Sequence, residues 1–242
     1  MGSRSGIIDQ LYKEILPLQG FKKSQYSENP DFGLGPINEA FPNHIFPLGA
    51  VHEFICQDPE SVAVTNGFIS AIITTLMHIG GTSIWICNKN KIFPPALQSF
   101  GITPERIIFL DLSNEKDIMW AMEESLKFNK LSAVIGELTK FDFTFSRRLQ
   151  LIVEQSNVTC FVVRSDPRNN VTTASIAKWK ITSLPSETED LLPGIGFPRW
   201  NVELLKIRNG KTGCWQMEWA SGKFRHMKKI TTEFNERQKK TA

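Results

Sequence analysis

The spacing of apolar positions changes along the chain, and each change predicts an element. Ile7, Ile8, Leu11, Ile15 and Leu18 recur at close to helical spacing, and Pro17 marks the end of the run. This predicts a short amphipathic helix. Residues 19–36 are polar and rich in Ser, Asn, Gly and Pro, the composition of a linker. A helix before a linker has no local surface for its apolar stripe. Ile7, Leu11, Ile15 and Leu18 are therefore expected to dock on the main domain or on a partner.

From residue 34 onward, short apolar runs alternate with amphipathic stretches. Strands are predicted over 51–56, 82–87, 106–110, 132–138 and 158–164, and helices over 65–79, 94–100, 117–127 and 146–155. That rhythm specifies an α/β fold, a mostly parallel sheet covered by helices on both faces. After residue 171 the helices stop. Strands over 177–184, 200–208 and 214–219 follow one another, the last two joined at Asn209-Gly210, a tight-hairpin dipeptide. An antiparallel ribbon should extend the sheet. Three parts result: residues 1–33, a helix and linker; 34–220, the α/β domain; and 221–242, a tail.

Composition fits one such domain. The chain has 242 residues, 41% hydrophobic and 22% charged, long enough to bury a core without staples. Its net charge of +3 is uneven: residues 221–242 carry +5 and the remainder −2. Lys223, Arg225, Lys228 and Lys229 begin this basic tail. Phe224, Met227, Ile230 and Phe234 recur within it every three or four residues, which predicts a basic amphipathic helix suited to a partner groove or DNA phosphates. The four cysteines, at 56, 87, 160 and 214, form no CxxC pair and read as buried free thiols in a reducing cytoplasm. The longest apolar stretch, 67–79, is too short to span a bilayer, so no membrane partner is expected.

The step from the first strand to its helix is where a nucleotide-binding α/β protein keeps a phosphate loop. Such a loop needs glycine for backbone approach, lysine for the phosphates and Ser or Thr for magnesium. Residues 57–67, read as that loop, have no glycine before Gly67 and no lysine, and they carry Asp58 and Glu60. Gly210-Lys211-Thr212 imitates the end of such a loop, but Leu205 stands where its glycine should be. No metal, cofactor or catalytic residue is expected. Glu137, at the end of a central strand, is expected to pair with Arg147 or Arg148, which would open the 146–155 helix. His52 and Glu53 read as a satisfied core pair and Trp120 as core. Trp215 and Trp219 share a face, as core or as docking surface.

The ordered set Phe46-Pro-Leu-Gly-Ala-Val-His-Glu-Phe54, Phe93-Pro-Pro-Ala-Leu97, Met119-Trp-Ala-Met-Glu-Glu124, Ala133-Val-Ile-Gly-Glu137, Ser146-Arg-Arg-Leu-Gln-Leu151, Pro198-Arg-Trp200 and Trp215-Gln-Met-Glu-Trp219 resembles the ImuA family of error-prone repair accessory proteins. The strand order and defective loop resemble a RecA-like core. The resemblance implies a non-catalytic adaptor in damage-induced, SOS-linked translesion synthesis. It would bridge an ImuB-like relative of Y-family polymerases and a DnaE-type polymerase. The N-terminal helix and the basic tail lie outside the resemblance. From the residues themselves, self-association or partner docking is expected at the N-terminal stripe, and DNA or partner contact at Arg147, Arg148 and the tail. Two other readings remain open at this point. One is an atypical ATPase taking its lysine from Lys89 or Lys140. The other is a division inhibitor of the SulA type, to which the family has a distant likeness.

Overall fold

The computed structural model describes residues 30–88, 92–165, 171–186 and 196–227. Nine strands form one sheet: β1 (Val51–Ile55), β2 (Thr82–Cys87), β3 (Ile107–Asp111), β4 (Leu131–Leu138), β5 (Thr159–Arg164), β6 (Ala177–Leu184), β7 (Arg199–Ile207), β8 (Gly213–Ala220) and β9 (Lys223–His226). Their spatial order is β3-β2-β4-β5-β1-β6-β7-β8-β9. The pairs among β1 to β6 are parallel, and those from β6 to β9 antiparallel. The α/β class, the parallel core and the antiparallel extension are as expected.

Among the described residues three α-helices cover the sheet: α1 (Pro59–Ile79), α2 (Glu115–Leu126) and α3 (Phe143–Ser156). Strand side chains alternate between faces, and the core divides accordingly. On one face α1 packs with Phe54, Trp85, Phe161 and Trp179, together with the ribbon residues Trp200, Met217 and Trp219. On the other, α2 and α3 pack on Val51, Ile86, Val134 and Val162. Trp215 packs partly buried beside Trp219 against the first core, so that tryptophan pair is core-facing. By length and hydropathy α1 resembles a membrane span, but 67% of its most apolar window is buried in the domain, as for a core helix.

Several expectations need correction. The end of the supposed linker is core: Phe32 and Leu34 are buried, and a 3₁₀ helix spans Gly35–Ala40. Trp120 is 64% exposed, because the sheet-facing stripe of α2 is Ile118, Ala121, Met122 and Leu126. Cys214 is exposed, unlike the other three cysteines. The tail does not begin as a helix. Ser221 and Gly222, both at positive φ, turn the chain back so that Lys223–His226 pairs with β8 as an antiparallel strand. Phe224 then enters the core against Phe68, Trp200 and Trp219. Lys228, Lys229 and the N-terminal Ile7, Leu11, Ile15 and Leu18 lie outside the described residues.

Candidate functional site

Sheets of this kind bind ligands beyond the carboxyl ends of their parallel strands. Here β1 ends at Ile55, and α1 begins only four residues later at Pro59. The loop expected over 57–67 is therefore the first turns of a helix. Asp58 caps that helix: its carboxylate accepts from Ser61 N–H at 2.7 Å, and Ser61 Oγ accepts from Asp58 N–H at 3.1 Å and Gln57 N–H at 2.9 Å. The Ser61 backbone donor is thus already satisfied at the place where a helix N-terminus would hold a phosphate. Glu60 is engaged by Ser183 Oγ at 2.6 Å, which ties the same turn to β6. Hydrogen bonds from Ser61 hold the Asp58 carboxyl below the ordinary aspartate value.

Glu137, near the end of β4, accepts from Asn66 Nδ2 at 3.2 Å and from Trp85 Nε1 at 3.3 Å. The expected pairing with Arg147 or Arg148 is replaced: Arg148 pairs with Glu123 on α2 at 3.1 Å and lies over the Phe145 ring. Nor do these arginines open their helix. Asp142 caps α3, which begins at Phe143, so Arg147 and Arg148 fall in its second turn, both exposed. Glu123 is thereby half-covered. Trp120 lies one turn before Glu123, and Leu151 one turn after Arg148. The ion pair thus joins two exposed apolar side chains, 64% and 43% exposed, with Phe143 at 55% on the same helix as Leu151.

His52 and Glu53 are both fully buried but point to opposite faces of β1. The His52 ring stacks on Phe46. Its Nδ1 accepts from Trp179 Nε1 at 3.2 Å, and its Nε2 lies 2.7 Å from the Pro47 carbonyl oxygen. The indole donor requires an unprotonated Nδ1, which leaves Nε2 as donor to Pro47. Burial lowers the His52 pKa to about 4. Glu53 is the centre of a cluster that sequence reasoning missed. Arg164 donates to it at 3.1 Å, Ser175 Oγ at 3.0 Å and Thr173 Oγ1 closely, with Lys178 Nζ at 3.5 Å. Lys178, Lys206 and Arg208 reach the carbonyls of Val171, Thr173 and Ala174 at 3.2, 3.0 and 3.3 Å. These bonds clip residues 171–174 onto the sheet. A run of Thr and Ser before a strand was the only local signal; the pairing itself spans more than 100 residues.

Among the described residues, no group of three His, Cys, Asp or Glu side chains converges as metal ligands would. Burial raises the Cys56 thiol to about 11 and the Cys160 thiol further still, so neither is a thiolate near neutrality. The basic residues Lys223 and Arg225 lie exposed on β9, on the side opposite Phe224.

No family model matches the chain. It is 29% identical over 199 residues to Protein ImuA of Caulobacter vibrioides, in each of two strains of that bacterium. The alignment spans 77% of this chain and 82% of the relative.

Proposed function

We propose, on the premise that this chain belongs to the ImuA family, that it serves the ImuA/ImuB error-prone repair system as a non-catalytic adaptor with a RecA-like core. It would bridge an ImuB-like relative of Y-family polymerases and a DnaE-type polymerase in the cytoplasm. The observation that carries the non-catalytic part is the closed N-terminus of α1. Its donor goes to Asp58 and its acidic residues stand where a triphosphate would sit. Phosphoryl transfer rests on positioning and charge neutralisation, and this corner supplies neither.

The adaptor part is supported by the outer face of α2 and α3. A large exposed tryptophan beside an arginine ion pair has the composition of an interface anchor. Trp120, Arg147 and Arg148 are the residues we assign to the polymerase-like partner. The N-terminal stripe of Ile7, Leu11, Ile15 and Leu18 is assigned to a second contact, either self-association or the DnaE-type polymerase.

Co-expression with both polymerases and affinity recovery of this chain tests the reading. Recovery of the ImuB-like protein is expected from the full chain and is lost in the Trp120→Ala, Arg148→Ala double variant. A chain lacking residues 1–20 should keep its melting temperature but recover less partner. If neither polymerase co-purifies with the full chain, the adaptor reading is wrong.

A further inference from the structure

The antiparallel ribbon has two unlike faces. Trp179, Trp200, Trp215, Trp219 and Phe224 all turn inward towards α1. Strand alternation sends their neighbours the other way. The helices of that other side, α2 and α3, pack over the parallel strands, and the outward side chains of β7, β8 and β9, apart from the buried Ala220, are exposed or half-exposed. This uncovered face holds Lys180, Arg199, Lys206, Lys223 and Arg225, with Arg208 at its end. The acids among them are Glu203 and Glu218. Glu53 and Lys178 lie beneath it and offset one another.

Among the described residues the face therefore carries net +4, in a chain whose total is only +3, with Arg199 paired to Glu218 at 2.7 Å and Lys180 standing opposite Glu203. Two features make this concentration more than a solvated surface. Lys178 and Lys206 stand directly opposite each other across β6 and β7, a like-charge pairing that costs stability in a sheet. Burial and the charges of Lys178 and Arg208 also lower the pKa of Lys206, so these cations act on one another. The residues that the sequence placed on a helical tail, Lys223 and Arg225, are brought by β9 onto the same face as Lys180 and Lys206. Lys180 stands opposite Glu203, Glu203 opposite Cys214, and Arg225 opposite Glu218. Three strand spacings of roughly 4.8 Å and four residues of roughly 3.4 Å along the strand put Lys180 and Arg225 about 20 Å apart, so the cations span a broad face rather than the roughly 12 Å of one groove.

We propose that the open face of the β6–β9 ribbon binds the phosphodiester backbone of DNA, with Lys180, Lys223 and Arg225 contacting phosphates. The aromatic side chains of the ribbon are all committed to the core, so the face has no stacking surface for bases. It reads charge and shape rather than sequence. This inference goes beyond the adaptor reading and does not depend on it: that reading is decided by polymerase recovery, this one by titration.

The test is fluorescence anisotropy with a labelled 30-base-pair duplex of mixed sequence, titrated with the full chain from 50 to 200 mM salt. The expected dependence of log K on log salt is linear, about −0.9 per phosphate neutralised. The K180E/K223E/R225E variant should lose at least tenfold in affinity at 50 mM salt and flatten the slope by roughly 2 to 3. Circular dichroism checks its fold, and K180Q/K223Q/R225Q gives a smaller loss in the same direction if the reversal unfolds the chain. R147E/R148E, on the α3 surface, should bind as the wild type does. The proposal is overturned if the wild type shows no binding at 50 mM salt, or if both triple variants bind like it. It is equally overturned if K228E/K229E alone removes binding, or if polyglutamate competes as strongly as unlabelled duplex. The last result would assign the face to an acidic protein.

Discussion

His52 has no route to solvent: it is stacked on Phe46, accepts from Trp179 and donates to Pro47. A protonated ring would lose the Trp179 bond and bury an uncompensated charge, which is why its pKa falls from 6.5 to about 4. The unfolded chain takes up this proton below pH 6.5, whereas the folded chain resists until about 4. Stability from the neutral ring is therefore complete above pH 6.5 and is lost progressively as pH falls towards 4. At about 1.4 kcal/mol per unit the whole effect is on the order of 3 kcal/mol. Urea midpoints measured at pH 7.5 and 4.5 should fall more steeply for wild type than for His52→Gln; parallel losses would refute the assignment. Glu53, one residue on, behaves differently because its partners are cations. Glu53→Ala leaves Arg164 and Lys178 buried without their carboxylate, and the expected cost is on the order of 3–5 kcal/mol. Denaturant unfolding would expose a smaller cost. The burial of both residues was legible in the apolar run around them. Their separation to opposite faces follows from strand period alone, and the earlier pairing of the two ignored it. Arg164, 111 residues away from Glu53, could not be found from spacing.

At the level of elements, the boundaries were misread where two local signals competed. Asp58, Pro59 and Ser61 form a readable helix start, an N-cap followed by proline and a reciprocal cap. A phosphate-loop pattern competes with it there, and residues 59–64, expected in a loop ahead of the 65–79 helix, are the first turns of α1. The tail failed for the opposite reason. Phe224, Met227 and Ile230 fit a helical period, but Ser221-Gly222 is a hairpin signal, with both residues at positive φ. The decisive pairing with β8 is a tertiary fact. Phe224 fixes β9, since Phe68, Trp200 and Trp219 surround it. Phe224→Ala should therefore cost about 3 kcal/mol and speed amide exchange across β8 and β9. Trp120 gives the contrast within α2. Being 64% exposed, its replacement by Ser should leave stability within about 0.5 kcal/mol while weakening partner recovery. A drop of several degrees in melting temperature would place Trp120 in the core after all.

The molecule as a whole has a strand–helix corner, β1 to α1, at the place where nucleotide-binding α/β proteins keep a phosphate loop, and it fills that corner with its own side chains. The Ser61 backbone donor at the head of α1 is satisfied by Asp58, Glu60 is held by Ser183, and Glu137 is occupied by Asn66 and Trp85. Each of these bonds would have to break before a triphosphate and its metal could enter. Even then the anion would meet two carboxylates: at about 4 Å, each like-charge pair costs on the order of 4 kcal/mol at an effective dielectric near 20. Purified protein should accordingly show no magnesium-dependent ATP hydrolysis above a buffer blank. The variants Asp58→Asn with Glu60→Gln remove both charges and should remain inactive, because no lysine or metal-holding carboxylate is freed by the change. Asn66→Lys should also fail, since the new ammonium would be buried against Glu137 rather than offered to a phosphate. A turnover in wild type that requires magnesium and disappears in Glu137→Gln would show that the corner opens. It would also return this chain to the class of catalysts.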